Sequence, residues 1–261
     1  MNLPFFFRQD AWLIMLAILV LILIAYWGGI KYRKKYFSTN ISKGNSITML
    51  ETSVFALLGL MLAFTYNAAG SRFEENRHII AEEANCIGTA LLRTDLYPEN
   101  ERIGFRKDFK EYLELRIEYH SIGTNFELSV RNKERTDSVS KNIWDRATRL
   151  SRQPELYLAS MQTIPALNSM FDIAAMRDFK YKALMPSAAG VMVVVLVVFS
   201  FFVIGYNTDE STKAEKILLS CFIILISSVV YLILDLNRTQ GGLIDTYAGQ
   251  QKILELRSMF K

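Results

Sequence analysis

The side chains with reactive potential are few and do not gather into a catalytic pattern. His78 and His120 are the only histidines. His78 has Glu74, Glu75, Glu82 and Glu83 for neighbours, a supply of nitrogen and oxygen ligands, but no H-E-x-x-H or comparable closed spacing holds them. Both histidines are therefore expected to be solvated or packing residues, and no metal is assigned. Glu82 and Glu83 could serve as an acid and base pair, yet adjacent helical residues point in different directions, so the pair is expected to form a solvated face. Cys86 and Cys221 lie in unlike regions, one polar and one apolar, which specifies neither a disulfide nor a redox motif. No nucleophile elbow, phosphate-binding loop or dinucleotide-binding glycine pattern occurs. Catalytic residues and cofactors are thus not expected, and the enzyme class is set aside.

Two other groups matter because of where they stand. Glu51 precedes a run with no charge from Thr52 to Ser71, and a carboxylate at that position either reaches the interface or faces water or a partner. Asp235, Asn237 and Arg238 end another apolar run in DLNRTQGG. Asp235 and Arg238, three residues apart, can pair on one helix face, with Gly241 and Gly242 stopping the helix.

The elements that carry these groups are set by hydropathy. The chain has 261 residues, 51% hydrophobic and 21% charged, and its mean hydropathy is +0.17. Its apolar residues gather in four runs, roughly Ala11–Ile30, Ile47–Gly70, Ala183–Tyr206 and Ile217–Leu236, each long enough for a bilayer crossing. Lys31, Arg33, Lys34 and Lys35 after the first run form a stop-transfer flank, so that run is read as a retained span and not as a signal peptide. Trp12, Tyr26 and Trp27 suit an aromatic belt.

The second run has two faces at 100° per residue. Thr52, Ala56, Gly59, Ala63, Asn67 and Gly70 form a small-residue stripe, expected to pack against another helix. Glu51, Phe55, Leu58, Leu62 and Thr65/Tyr66 form a bulky face that begins with the carboxylate. Helical spacing continues without a break through Phe73, Arg77, Ile80, Ala84 and Ile87, so one long helix joins membrane and soluble parts. Pro98 ends it. A second soluble helix is predicted from Glu99–Asn100, with Phe105, Phe109, Tyr112/Leu113 and Arg116/Ile117 on one side. A third covers Arg131–Arg152, and a fourth starts near Pro154, kinked at Pro165. A last helix spans roughly Leu243–Phe260, with spacing too weak to assign it a partner surface. No period-two alternation bounded by turns occurs, so the soluble part is read as all-α.

Charge sets further limits. The region from Arg72 to Lys182 carries eighteen basic and eighteen acidic residues, and this neutrality, without a basic stripe, excludes a nucleic-acid surface. The loop Lys31–Asn45 holds five positive and no negative charges, which favours a cytoplasmic loop and an extracytoplasmic soluble domain. Arg72, Arg77, Arg177, Lys180, Lys182 and Arg238 flank membrane ends on the other side and argue the reverse.

GLMLAFTYNAAGSRFEENRHIIAEEANCIGTALLRTDL, then LNSMFD, and finally YLILDLNRTQGG resemble the bestrophin-like family of bacterial membrane proteins, over approximately residues 50–256. The most specific part is Gly59–Asp95. Arg72, Arg77, Glu83, Asn85 and Arg93 match the family pattern there, and Asp235 and Arg238 match it at the fourth span. The resemblance implies distant similarity to bestrophins, which are pentameric ion channels with four membrane helices, a cytosolic helical region and a narrow apolar neck on the second span. Phe55, Leu58 and Leu62 are similar in arrangement to such a neck. No acidic cluster carries calcium binding over.

The expected fold is therefore all-α, with four transmembrane helices, a soluble helical bundle between spans two and three and a C-terminal helix. The expected divisions are 1–70, 71–182, 183–236 and 237–261. The expected function is passive conduction of inorganic ions by a homo-oligomer, a pentamer on the family's pattern, in a bacterial inner or plasma membrane. Glu51, Phe55, Leu58, Leu62 and Tyr66 are the pore or constriction candidates. The alternative is a non-conducting scaffold or signalling module whose helical domain binds a protein.

Overall fold

The computed structural model describes residues 11–36, 45–122, 125–182, 187–208, 212–237 and 247–260. Every regular element among them is helical: α1 (Ala11–Tyr36), α2 (Asn45–Thr94), α3 (Glu99–Ser121), α4 (Phe126–Leu150), α5 (Tyr157–Lys182), α6 (Ser187–Asn207), α7 (Lys213–Leu236) and α8 (Tyr247–Glu255). Short 3-10 turns precede α5 at Pro154–Leu156 and follow α8 at Leu256–Phe260. Helices α1, α2, α6 and α7 are long and apolar enough to cross a membrane. The chain is a multi-pass membrane protein of all-α class. Its 50-residue α2 would extend about 75 Å at 1.5 Å per residue, more than twice the ~30 Å hydrocarbon core. Within it the charge-free stretch Thr52–Ser71 is long enough to cross that core.

The chain divides into two compact units, Met1–Arg72 with Leu184–Arg238, and Phe73–Ala183 with Thr239–Lys261. In the first, α1 and α6 pack so closely that their backbones meet. A Cβ on Gly29 would overlap the Phe202 carbonyl oxygen and lie 2.6 Å from the Tyr206 nitrogen. A Cβ on Gly205 would overlap the Tyr26 carbonyl oxygen. Small residues permit this approach, and in lipid such contact is a main source of helix association. The hydroxyls of Thr65 on α2 and Ser200 on α6 bond to their own backbone, to Met61 O at 2.7 Å and to Leu196 O at 2.6 Å, so these two need no partner in hydrocarbon. Thr212 and Glu215 close a reciprocal capping box at the start of α7.

The second unit is a helical bundle around one apolar core. Ile87, Phe105, Phe109, Leu113, Ile143, Ala147, Leu167, Met170 and Ile253 are completely buried in it. These residues recur every three or four positions on α2, α3, α4 and α5, the spacing that makes one apolar stripe per helix. Each large side chain so buried contributes roughly 1.5–3 kcal/mol. Helix α4 starts five residues before the predicted Arg131, because the Asn125 side chain accepts from the Leu128 N–H and caps it there. Helix α5 runs unbroken over Pro165.

The C-terminal segment, whose partner surface the sequence spacing leaves unassigned, belongs to this core. Ile253 is buried in it, and Leu256, Met259 and Phe260 pack against it. Arg257 donates to both carboxylate oxygens of Glu114 on α3, and Arg106 donates to the Met259 carbonyl at 3.1 Å.

Candidate functional site

Within the membrane stretch of α2, Val54, Leu58, Leu62, Thr65 and Ala69 are the buried positions, spaced by four or three residues. They define the face that the chain's own helices cover. Leu58 is only 1% exposed. Phe55, half-buried, meets Phe222 of α7 edge-on at 5.5 Å between centroids. Glu51, also half-buried, accepts from the Asn207 side chain at the end of α6 at 2.5 Å. Among the bulky candidates Tyr66 alone is exposed.

The small-residue stripe lies roughly opposite at 100° per residue. Thr52, Ala56, Gly59, Ala63 and Asn67 are all exposed and Gly70 is half-buried. A Cβ on Gly59 or Gly70 would meet nothing within 4 Å. The packing within one chain is thus carried by the bulky face, and the stripe stays open. Leu57, Leu60 and Phe64 flank it, exposed.

Twelve residues beyond Ser71 on the same helix, Glu83 is completely buried. Its Oε1 accepts from Arg116 Nε of α3 and its Oε2 from Arg177 Nη1 of α5, each at 2.5 Å. Arg116 also pairs with Asp178 at 3.3 Å, so two carboxylates answer two guanidiniums. Arg177 Nη2 reaches the Gln250 side chain of α8 at 3.5 Å. Tyr119 lies against both guanidiniums, 4.8 Å from that of Arg116 and 5.5 Å from that of Arg177. Burial alone would raise the carboxyl of Glu83, but the attraction of Arg116 and Arg177 outweighs it and holds the group below its usual range. Burial by itself would lower Arg116, but Glu83, Tyr112 and Asp178 together outweigh that and raise it. Glu83 and Arg116 therefore stay charged across ordinary pH.

This corrects the expectation of a solvated Glu82–Glu83 face. Glu82 is half-exposed beside an exposed His78 at 3.7 Å, whereas Glu83 faces inward with Ile80, Ala84 and Ile87. The signal was present in Arg116, which shares the apolar face of α3 with Phe105, Phe109 and Tyr112. An arginine on a core face needs a buried acid.

The remaining sequence candidates are dispersed. Arg77 is exposed, 3.5 Å from Glu74. Asn85 is exposed. Arg93 donates to the Gln162 carbonyl at 2.7 Å and ties α2 to α5. Arg72 is half-buried, with Nη1 lacking a hydrogen-bond partner among the described residues. Asp235 is completely buried and Asn237 caps its own helix through Ile233 O at 2.8 Å. Arg238, and with it the expected Asp235–Arg238 pair, lies outside the described residues. Among those described, no group of three or more His, Cys, Asp or Glu could hold a metal ion. Burial pushes the Cys86 thiol up, aided by Glu82 and Glu83, so it is a poor nucleophile.

Four apolar helices long enough to cross a membrane, with a second helix that continues far beyond its apolar stretch, define a class of multi-pass helical membrane protein. The bestrophin-like domain matches residues 12–244, and the chain belongs to that family. Solved structures of a bacterial bestrophin homologue from Klebsiella pneumoniae share the fold. A tryptophan-to-alanine variant aligns with a TM-score of 0.70 and 12% identity, over 96% of this chain and 99% of that one. A tyrosine-to-alanine variant gives 0.68 and 13%, over 94% and 99%. The structure phased on zinc gives 0.65 and 14%, over 94% and 97%. At this identity the likeness concerns the fold. No curated protein matches the chain.

Proposed function

We propose that the protein is a homo-oligomeric channel for inorganic ions, with copies of α2 gathered around a shared axis and their small-residue faces turned toward it. One observation carries this reading. Thr52, Ala56, Gly59, Ala63 and Asn67 form a face that the chain's own helices leave open, opposite a face that they cover. Family membership supports ion conduction as the purpose of such a face, and a pentamer is the assembly that the bestrophin relationship favours.

On this reading Leu58 and Leu62 brace the helix from behind, Phe55 and Tyr66 border the path, and alanine and glycine positions line its narrow part. An apolar lining of this kind can close by dewetting. Glu51 lies behind the lining at one end of α2, held by Asn207, where a repeated carboxylate favours cations at the mouth through its field. The host membrane is a bacterial inner or plasma membrane, in keeping with the bacterial source of the structures that share the fold.

A second reading, a non-conducting scaffold, draws on the same open positions at Gly59 and Gly70, which would let copies of α2 pack until no path remains. Ion flux from liposomes containing the purified protein separates the two. Flux that depends on the protein, with cation preference reduced in Glu51→Gln, supports the channel. Oligomers that pass no ion over a wide range of voltage and salt favour the scaffold.

A further inference from the structure

The C-terminal segment lies directly along the soluble half of α2. A Cβ on Gly249 would sit 3.2 Å from the Arg77 carbonyl oxygen and 3.3 Å from Ile80, while a Cβ on Gly88 would lie 3.3 Å from Leu256. The segment therefore covers α2 between Arg77 and Gly88. With nine residues, α8 is shorter than the roughly 12–15 that an isolated helix needs in water, so its docking holds it in shape. Ile253 fixes it through apolar burial. Besides the Arg257–Glu114 and Arg106–Met259 contacts of the turn that follows it, α8 has a buried polar contact of its own in Gln250, which takes the Arg177 hydrogen bond beside Glu83.

That contact is the loosest in the cluster. Glu83 holds Arg177 at 2.5 Å, whereas Gln250 holds it at 3.5 Å, and Arg177 Nε is buried without a partner among the described residues. Arg177 thus joins α8 to α2 through one strong contact and one weak contact. Glu83 belongs to the same helix as Ser71, twelve residues further along the chain.

We propose that Gln250 and Arg177 are positioning residues through which the C-terminal segment restrains α2 and so sets ion flux. The flux part rests on the channel reading above; the restraint of α2 does not. Losing Gln250 leaves Arg177 with a second unpaired donor and loosens α8, which Ile253 and the Arg257–Glu114 pair still hold in place. A glutamate there would meet Arg177 with charge and tighten the segment.

Hydrogen exchange on the full-length protein in detergent, together with liposome ion flux, tests this. For Gln250→Leu we expect exchange to rise about tenfold both in residues 247–260 and in residues 73–88, with flux changed at least threefold. For Gln250→Glu we expect protection at or above wild type in both segments, and flux at the wild-type level or shifted the other way. Faster exchange confined to residues 247–260 would overturn the restraint of α2. Faster exchange in both segments with unchanged flux would overturn the link to conduction. Absence of flux from the wild-type protein would refute the channel reading and, with it, that link, while the exchange data would still decide the restraint.

Discussion

Glu83 and Arg177 stand 94 positions apart in sequence and meet at 2.5 Å inside the soluble unit, where neither side chain is more than 4% exposed. Arg116 completes the contact from a third helix, also at 2.5 Å. The meeting fixes how α2, α3 and α5 lie against one another. Apolar packing alone specifies this less sharply, because Leu and Ile surfaces tolerate rotation and sliding more readily than a shared carboxylate does.

Removing the shared acid should be costly. Glu83→Ala leaves two guanidiniums buried without their common partner, and breaking a buried pair from one side costs about 3–5 kcal/mol. Thermal or urea unfolding of the purified protein should show a clear loss of stability. Asp178→Asn should cost much less, since Asp178 is partly exposed at 22% and water can replace it. Equal losses in the two variants would contradict the central place given to Glu83.

The pH dependence follows from the same residue. Glu83 is held below its ordinary value of 4.5 when folded, so the folded state binds its proton less readily than the unfolded chain. Its contribution is complete above the ordinary value and is lost as pH falls below it through the folded value. Stability measured from pH 7 downward should thus decline in wild type below about pH 4.5, with a shallower acid slope in Glu83→Gln. Matching acid profiles would refute the assignment.

The crossing of α1 and α6 gives an independent prediction in the membrane unit. Gly205→Leu places a side chain against the Tyr26 backbone, which cannot move aside as a flexible side chain can. Overpacking typically costs about 1–3 kcal/mol, and a backbone obstacle puts this site at the upper end or beyond. Size-exclusion yield and melting temperature in detergent should both fall. Gly190→Ala, whose Cβ would meet nothing within 4 Å, should be near neutral.

Much of this architecture is legible in sequence for a physical reason. Charge-free runs such as Thr52–Ser71 have few stable homes other than a bilayer, and the spacing of Ile80, Ala84 and Ile87 continues the helix past the membrane edge. The apolar stripe Phe105, Phe109, Tyr112 likewise fixes which side of α3 is buried. Contacts between distant residues are harder to read. Gly29 and Gly205 each look like an isolated glycine in an apolar helix until the two backbones are brought together. The burial of Glu83 depends on two arginines that only the tertiary fold delivers. The short α8 has too few periodic positions to declare its face, and it is settled by Ile253 and Gln250 meeting partners from other helices. For α2, periodicity separates a small face from a bulky one but cannot say which of them the chain covers itself. That depends on where Phe222 and Asn207 lie.

Cysteine accessibility during conduction reports which face of α2 meets the ion path. In a Cys86→Ser/Cys221→Ser background, a charged, water-soluble thiol reagent should block ion flux through liposomes containing Ala63→Cys. The same reagent should leave flux through Leu58→Cys unchanged, because that position is turned into the chain's own packing. Block at position 58 with none at position 63 would put the ion path on the bulky face and rule out the open small-residue face as its lining.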